Sequence, residues 1–268
     1  MTFGPLVSGE WLAAHLDEVR VVDVRWYLDD RSGRAAFERG HIPGAVWLDI
    51  DADLSDDASP RQGRHPLPSP DRFAAALERA GIGPGQAVVA YDDAGGSIAA
   101  RLWWLLHVLG EPVAVLDGGL DAWPGELSTS DGERPPVRRD RPPWPANRFV
   151  DAAQVAAALD TVIYDARTAE RYARGDAAID PRPGHVPGAQ SAPWAGNLGP
   201  DGRFRPPGEL RERFAAAADK PAIAYCGSGV TACHDLLAME VAGIAGTALY
   251  PGSWSQWGAD PARPAETS

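Results

Sequence analysis

Val21-Val22-Asp23-Val24-Arg25 and Val162-Ile163-Tyr164-Asp165-Ala166-Arg167 are one pattern written twice, a β-rich apolar run that closes on an acid with an arginine two residues later. The same second motif follows each, His41-Ile42-Pro43-Gly44-Ala45 in one place and His185-Val186-Pro187-Gly188-Ala189 in the other. Further on, Val88-Val89-Ala90-Tyr91 answers to Ala222-Ile223-Ala224-Tyr225, and Gly118 and Trp123 to Gly252 and Trp257, all at an offset of 134. Matches in the same order mean duplication, and a repeat has to be recognised first because it sets the fold.

Around these landmarks, strand-like runs alternate with helical patterns. Arg20 to Val24, Ala45 to Leu48, Ala87 to Tyr91 and Val113 to Leu116 are nearly continuous in apolar residues, as strands buried on both faces should be. Ser69-Pro70-Asp71 is a helix start for Arg72 to Ala80, closed by Gly81. In the second copy, Asp151 to Leu159, Gly208 to Ala218 and Gly229 to Val241 are the expected helices. Alternation of this kind predicts an α/β fold of two tandem domains, each a small parallel sheet flanked by helices. The domains are expected at 1–127 and 148–268. Residues 128–147 include Glu133-Arg134-Pro135-Pro136 and Arg141-Pro142-Pro143-Trp144-Pro145, and this proline density predicts an extended, semi-rigid linker.

Composition narrows the function. The chain has 268 residues, 44% hydrophobic and 23% charged, enough to bury a core in each domain. Its net charge is −12, and the first 130 residues carry most of it, with 10 basic against 20 acidic residues. No Lys/Arg run exceeds Arg138-Arg139, which argues against nucleic acid as a partner. There is no apolar stretch of membrane-spanning length. Met1-Thr2-Phe3-Gly4-Pro5 lacks a basic region followed by an apolar run. A soluble, cytoplasmic protein without membrane partners is expected. Cys226 and Cys233 are too few for a disulfide framework or a cysteine-based zinc site, so the question is whether either is reactive.

The copies differ where chemistry is expected. In parallel sheets, ligands bind beyond the carboxyl ends of the strands. There the first copy reads Asp92-Asp93-Ala94-Gly95-Gly96-Ser97 and the second Cys226-Gly227-Ser228-Gly229-Val230-Thr231. A turn of small residues lets successive backbone N–H groups face an anion, and a helix starting near Gly229 would add its positive end. That setting favours a nucleophilic thiolate. The bland reading, a small buried residue ending a strand, remains the alternative for Cys226.

These motifs resemble those of the tandem rhodanese-domain sulfurtransferases, the family of thiosulfate and 3-mercaptopyruvate sulfurtransferases. The resemblance spans nearly the whole chain, through the Asp-x-Arg and His-x-Pro-Gly motifs of both copies, Cys226 to Ala232, and Pro251-Gly252-Ser253-Trp254. It implies ping-pong transfer of sulfane sulfur. Cys226 attacks the donor, a Cys226 persulfide rests in the anion-binding loop of Gly227, Ser228, Gly229, Val230 and Thr231, and a thiol or cyanide takes the sulfur away. It further implies small-molecule donors and acceptors, a protein acceptor remaining open, and neither metal nor organic cofactor.

The resemblance also offers substrate-binding candidates. Arg171 matches the family's first carboxylate arginine; its alternative is a solvated helix-surface residue. The second arginine is harder to place because Asp176 to Arg182 is shorter than the family segment, leaving Arg182 as the candidate. His41 and Trp254 are the others, although His185 repeats His41 and points to a structural role for both. Neither Gly227 nor Ser228 is basic, which suits a monoanionic donor such as 3-mercaptopyruvate better than thiosulfate. Cys233 is expected in the core and His234 on a helix surface. Two rival readings are a non-enzymatic sulfur carrier or scaffold, and a cysteine-dependent phosphatase. The phosphatase needs arginine six positions after the cysteine, where this chain has Ala232.

Overall fold

The computed structural model describes residues 3–130 and 137–267; residues 131–136 of the expected linker lie outside the described residues. The chain forms two compact units. Unit 1 comprises Met1–Asp56, Pro68–Trp144 and Pro200–Arg203; unit 2 comprises Asp57–Leu67, Pro145–Gly199 and Phe204–Ser268. The second unit thus includes a segment, 57–67, that precedes the linker.

Unit 1 holds strands β1 (Leu6–Val7), β2 (Arg20–Asp23), β3 (Val46–Trp47), β4 (Val88–Tyr91) and β5 (Val113–Leu116), in the order β1-β5-β4-β2-β3. All their pairings are parallel. Strands β2, β4 and β5 are buried at every position, the mark of a sheet covered on both faces. The helices are α1 (Gly9–Ala14), α2 (Gly33–Arg39), α3 (Pro70–Arg79) and α4 (Ala99–His107). Helix α3 starts on Ser69, whose Oγ accepts the Arg72 N–H at 3.2 Å. In α4, Trp103, Trp104, Leu105 and Leu106 are all fully buried, so the helix is covered on every side. Each such side chain contributes about 1.5–3 kcal/mol relative to exposure. Of the expected linker, described residues 128–130 and 137–144 belong to unit 1 and residues 145–147 to unit 2. Ser128 pairs with His41, Arg139 donates to the carbonyls of Ile82 (3.1 Å) and Gly83 (2.6 Å), and Trp144 Nε1 donates to Pro68 O at 2.7 Å.

Unit 2 repeats the design with β6 (Val162–Asp165), β7 (Gln190–Ser191), β8 (Ala222–Tyr225) and β9 (Thr247–Leu249), parallel and ordered β7-β6-β8-β9. Its helices are α5 (Ala152–Ala156), α6 (Ala169–Arg174), α7 (Pro207–Arg213), α8 (Ala232–Val241) and α9 (Ser253–Trp257). Helix α5 has a capping box between Asp151 and Gln154 but stops before the expected Leu159, which is 86% exposed and anchors nothing. Helix α8 begins at Ala232 rather than near Gly229, because Gly229 adopts a positive φ of 81° that a helix cannot include. From β6 the chain turns out to β7 on one side and returns through β8 on the other. Asp165 is level with Tyr225, so β6 and β8 end together. This is the switch point at which parallel sheets bind ligands.

One buried lock recurs in both units and explains the motifs they share. In unit 1, the Asp23 carboxylate pairs with Arg25 at 2.6 Å and accepts the Tyr91 hydroxyl at 2.7 Å. Arg25 in turn donates to Gly40 O, and the Ile42 N–H donates to the Tyr91 oxygen. In unit 2, Asp165 pairs with Arg167 at 2.6 Å, Arg167 donates to Gly184 O, and the Val186 N–H donates to Tyr225. Burial beside a carboxylate pushes both tyrosines well above their ordinary range. A buried charge is tolerable only when paired and hydrogen-bonded; here the pairing ties the His-x-Pro-Gly loop to the sheet. Among the described residues no helix is long and apolar enough to cross a membrane.

Candidate active site

Cys226 is the first residue after β8 and only 2% exposed, with its Sγ accepting the Gly229 N–H at 3.1 Å. The turn into α9 braces it. Ser253 Oγ accepts the Cys226 N–H at 3.1 Å and donates to Tyr250 O at 2.9 Å. The N–H groups of Trp254 and Ser255 donate to the carbonyls of Cys226 and Gly227, each at 2.9 Å. Gly229 is required where it stands, since a Cβ there would lie 2.5 Å from Pro251 O. Ser253 has φ of 50°, left-handed backbone that a serine adopts only under constraint. Position 119, the counterpart at the offset of 134, is a glycine with φ of 61°. That Gly-to-Ser difference is the signal that could have marked Ser253 in the sequence.

In unit 1 the corresponding turn wraps a carboxylate of its own. Asp92, the counterpart of Cys226, is fully buried, and its two oxygens accept the N–H groups of Ala94, Gly96, Ile98 and Ala99, all at 2.8 Å. Burial raises its pKa, and those four donors oppose the shift. The nest of unit 1 is therefore filled by its own side chain.

Arg171, in the first turns of α6 after β6, reaches the same switch point. Its Nε and Nη2 hold the Asp180 carboxylate at 3.0 and 2.5 Å. It is not a solvated surface residue: its side chain is 19% exposed. A Cβ on Gly227 would lie 2.8 Å from Arg171 Nη2 and 2.9 Å from Arg64 Nη2, so a glycine backbone is what lets both guanidinium groups approach. Arg64 comes from segment 57–67, which is held by its N–H on Ser255 Oγ at 3.1 Å and by Gln256 donating to Arg61 O. Next to it, the buried His65 has Nδ1 in hydrogen-bond contact with Ser228 Oγ at 2.8 Å. No pattern of local sequence marked Arg64 or His65.

The remaining candidates lie elsewhere or act indirectly. Arg182 donates to Arg263 O at 2.7 Å and stacks near Trp254, which ties it to the chain after α9 and not to Gly227. Trp254 is fully buried, its Nε1 donating to Arg182 O at 3.0 Å and its ring lying under Arg167. It supports the loop and leaves no face for a ligand. His41 is fully buried in unit 1, Nδ1 on Phe37 O at 2.8 Å and Nε2 on Ser130 O at 3.2 Å, stacked on Phe37. His185 has the same place in unit 2, stacked on Tyr172 with Nδ1 on its carbonyl at 3.0 Å. Cys233 is buried and its Sγ donates to Gly229 O at 3.4 Å. His234, expected at the surface, is fully buried in a cluster where Asn197 Nδ2 contacts His234 Nδ1 at 3.0 Å and donates to Asp235 Oδ1 at 2.7 Å. Burial pushes the Asp235 carboxyl up to about 8, against the Asn197 bond. Among the described residues, no group of His, Cys, Asp or Glu is placed to hold a metal ion.

Comparison with known proteins agrees with this architecture. The rhodanese-like domain family matches residues 8–126 and again 151–260. A Pseudomonas aeruginosa protein with a provisional 3-mercaptopyruvate sulfurtransferase name is 44% identical across all of this chain and 99% of its own. A Mycobacterium tuberculosis protein with a provisional thiosulfate sulfurtransferase name is 39% identical over 92% of this chain and 90% of its own. The crystal structure of SseA from Escherichia coli, described with the rhodanese fold of the 3-mercaptopyruvate enzymes, superposes with a TM-score of 0.83 at 35% identity, covering 94% of this chain and 99% of that one. With the family model matched twice and full-length relatives this similar, the chain belongs to the tandem rhodanese-domain sulfurtransferases.

Proposed function

We propose that this sulfurtransferase takes its sulfur from 3-mercaptopyruvate and passes it through a Cys226 persulfide to a thiol. The observation that carries the donor assignment is the pairing of guanidinium groups at Gly227 with an uncharged Ser228 beside them. A donor with one carboxylate needs a fork of N–H groups at one end and a neutral polar contact near the carbonyl. The similarity to 3-mercaptopyruvate enzymes supports the same donor.

In the proposed step the Cys226 thiolate attacks the mercaptan sulfur, an S–S bond forms, and the C–S bond breaks with its electron pair on carbon as the pyruvate enolate. The proton carried by the transferred sulfur moves to the enolate, giving pyruvate and a persulfide anion. Ser228 Oγ, held by His65, is the hydroxyl positioned to relay it. Loop amides of the kind that bind Asp92 would hold the persulfide. An acceptor thiolate then attacks the outer sulfur and restores Cys226.

The test is kcat/KM for 3-mercaptopyruvate and thiosulfate at equal concentration, with intact-mass detection of a 32 Da gain expected for one sulfur atom on wild type (about 32 by the mass of sulfur), on Cys226→Ser and on Cys233→Ser. Mercaptopyruvate is expected to be preferred, with the gain present in wild type and Cys233→Ser and absent in Cys226→Ser. A preference for thiosulfate would overturn the donor, and persulfide formation in Cys226→Ser would overturn the nucleophile.

A further inference from the structure

Two guanidinium groups from distant parts of the sequence meet at Gly227, and only one edge of each is occupied. Arg171 spends Nε and Nη2 on Asp180, leaving Nη1, 3.5 Å from a Cβ position on Gly227. Arg64 spends Nη1 on Ile179 O; its Nε is buried without a hydrogen-bond partner among the described residues, and its Nη2 faces Gly227. Charge points the same way. Arg167 pairs with Asp165 and lies 3.6 Å from Asp180, so three guanidinium groups share two carboxylates. One positive charge is left over beside Cys226. Burial and the neighbouring Arg171 lower the Arg64 pKa, while Cys226 and Asp180 oppose that, and a guanidinium stays charged under such pressure. Like charges held together out of water, with N–H groups unspent, form a receptor for an anion, and two planar forks fit a carboxylate.

We propose that Arg64 is the second guanidinium of the donor site, binding one oxygen of the donor carboxylate while Arg171 Nη1 takes the other. The segment 57–67 thereby supplies a cation at Gly227, whereas Arg182 of the short 176–182 segment lies over Trp254 with Nη2 on Arg263 O and is not among the nearest neighbours of Gly227. The assignment rests on the mercaptopyruvate reading above.

The experiment compares Arg64→Gln, Arg64→Lys and, as a control in the same segment, Arg61→Gln. The first readout is kcat and KM for both donors. The second, independent of turnover, is the rate of Cys226 alkylation by anionic iodoacetate relative to neutral iodoacetamide, in a Cys233→Ser background. Arg64→Gln is expected to raise KM for mercaptopyruvate by about tenfold or more. It should also lower the iodoacetate to iodoacetamide ratio severalfold, about the effect of removing one nearby charge. Arg64→Lys should keep much of the ratio, and Arg61→Gln should change neither. A wild type active on mercaptopyruvate whose ratio and KM are unmoved by Arg64→Gln overturns the role of Arg64. Equal loss with both alkylating reagents also overturns it, because it signals general damage to the loop. A wild type inert toward mercaptopyruvate overturns the donor reading itself, and with it the assignment of Arg64 to a donor carboxylate.

Discussion

Ser253 sets two physical effects against each other, and two substitutions separate them. Its backbone sits at φ 50°, a conformation that costs an L-residue roughly 1–2 kcal/mol. Its hydroxyl accepts the buried Cys226 N–H at 3.1 Å, and leaving such a group unpaired costs about 1–3 kcal/mol. Ser253→Ala loses the hydroxyl and keeps the strain. Ser253→Gly loses the hydroxyl and relieves the strain, as the glycine at position 119 does in the first copy. The glycine variant should therefore be the more stable of the two by about 1 kcal/mol, although glycine usually ranks below alanine. Urea midpoints at unchanged slope measure this difference. Both variants free the Cys226 amide and loosen the proposed nucleophile, so sulfur transfer should fall by about tenfold in each, equivalent to 1.4 kcal/mol or so of barrier. An alanine variant as stable as the glycine one would refute the strain argument. Wild-type turnover in Ser253→Gly would refute the idea that Ser253 positions Cys226.

Asp235 predicts a pH dependence of stability. Its folded pKa is raised from 3.8 to about 8, so between those values the folded chain binds the proton more tightly than the unfolded chain and stability falls as pH rises. Asp235→Asn, which can still accept from Asn197, should remove that slope, its advantage over wild type growing between pH 5 and pH 9 in urea titrations; a growing disadvantage would contradict the assignment. In unit 1, Asp92→Cys should create no sulfurtransferase activity in a Cys226→Ser background and should lower stability by a few kcal/mol, about what is lost when four buried N–H groups forfeit a carboxylate. Robust transfer by that double variant would reveal a latent second site.

The sequence alone determined the duplication, the alternation of strand and helix, and the turn that holds Cys226, because each is written in local pattern. Apolar runs such as Val88 to Tyr91 have one solution in a covered parallel sheet, and a glycine-rich turn after such a run has few conformations. Local pattern misjudged His234 for a physical reason. A polar residue on a helix is assigned to solvent only if one face of that helix meets water, and Ala232 to Met239 are all buried. Reach along the chain made Arg182 a candidate for the second cation, whereas the approach of Arg64 to Gly227 has no local signal. Only the tertiary structure decided that, because segment 57–67 joins unit 2 through contacts between residues as far apart as His65 and Ser228, 163 positions along the chain. Contacts of that range leave no period in the sequence, and neither does the constraint that holds Ser253 at positive φ; both arise from packing, once the sheet has set where its loops end.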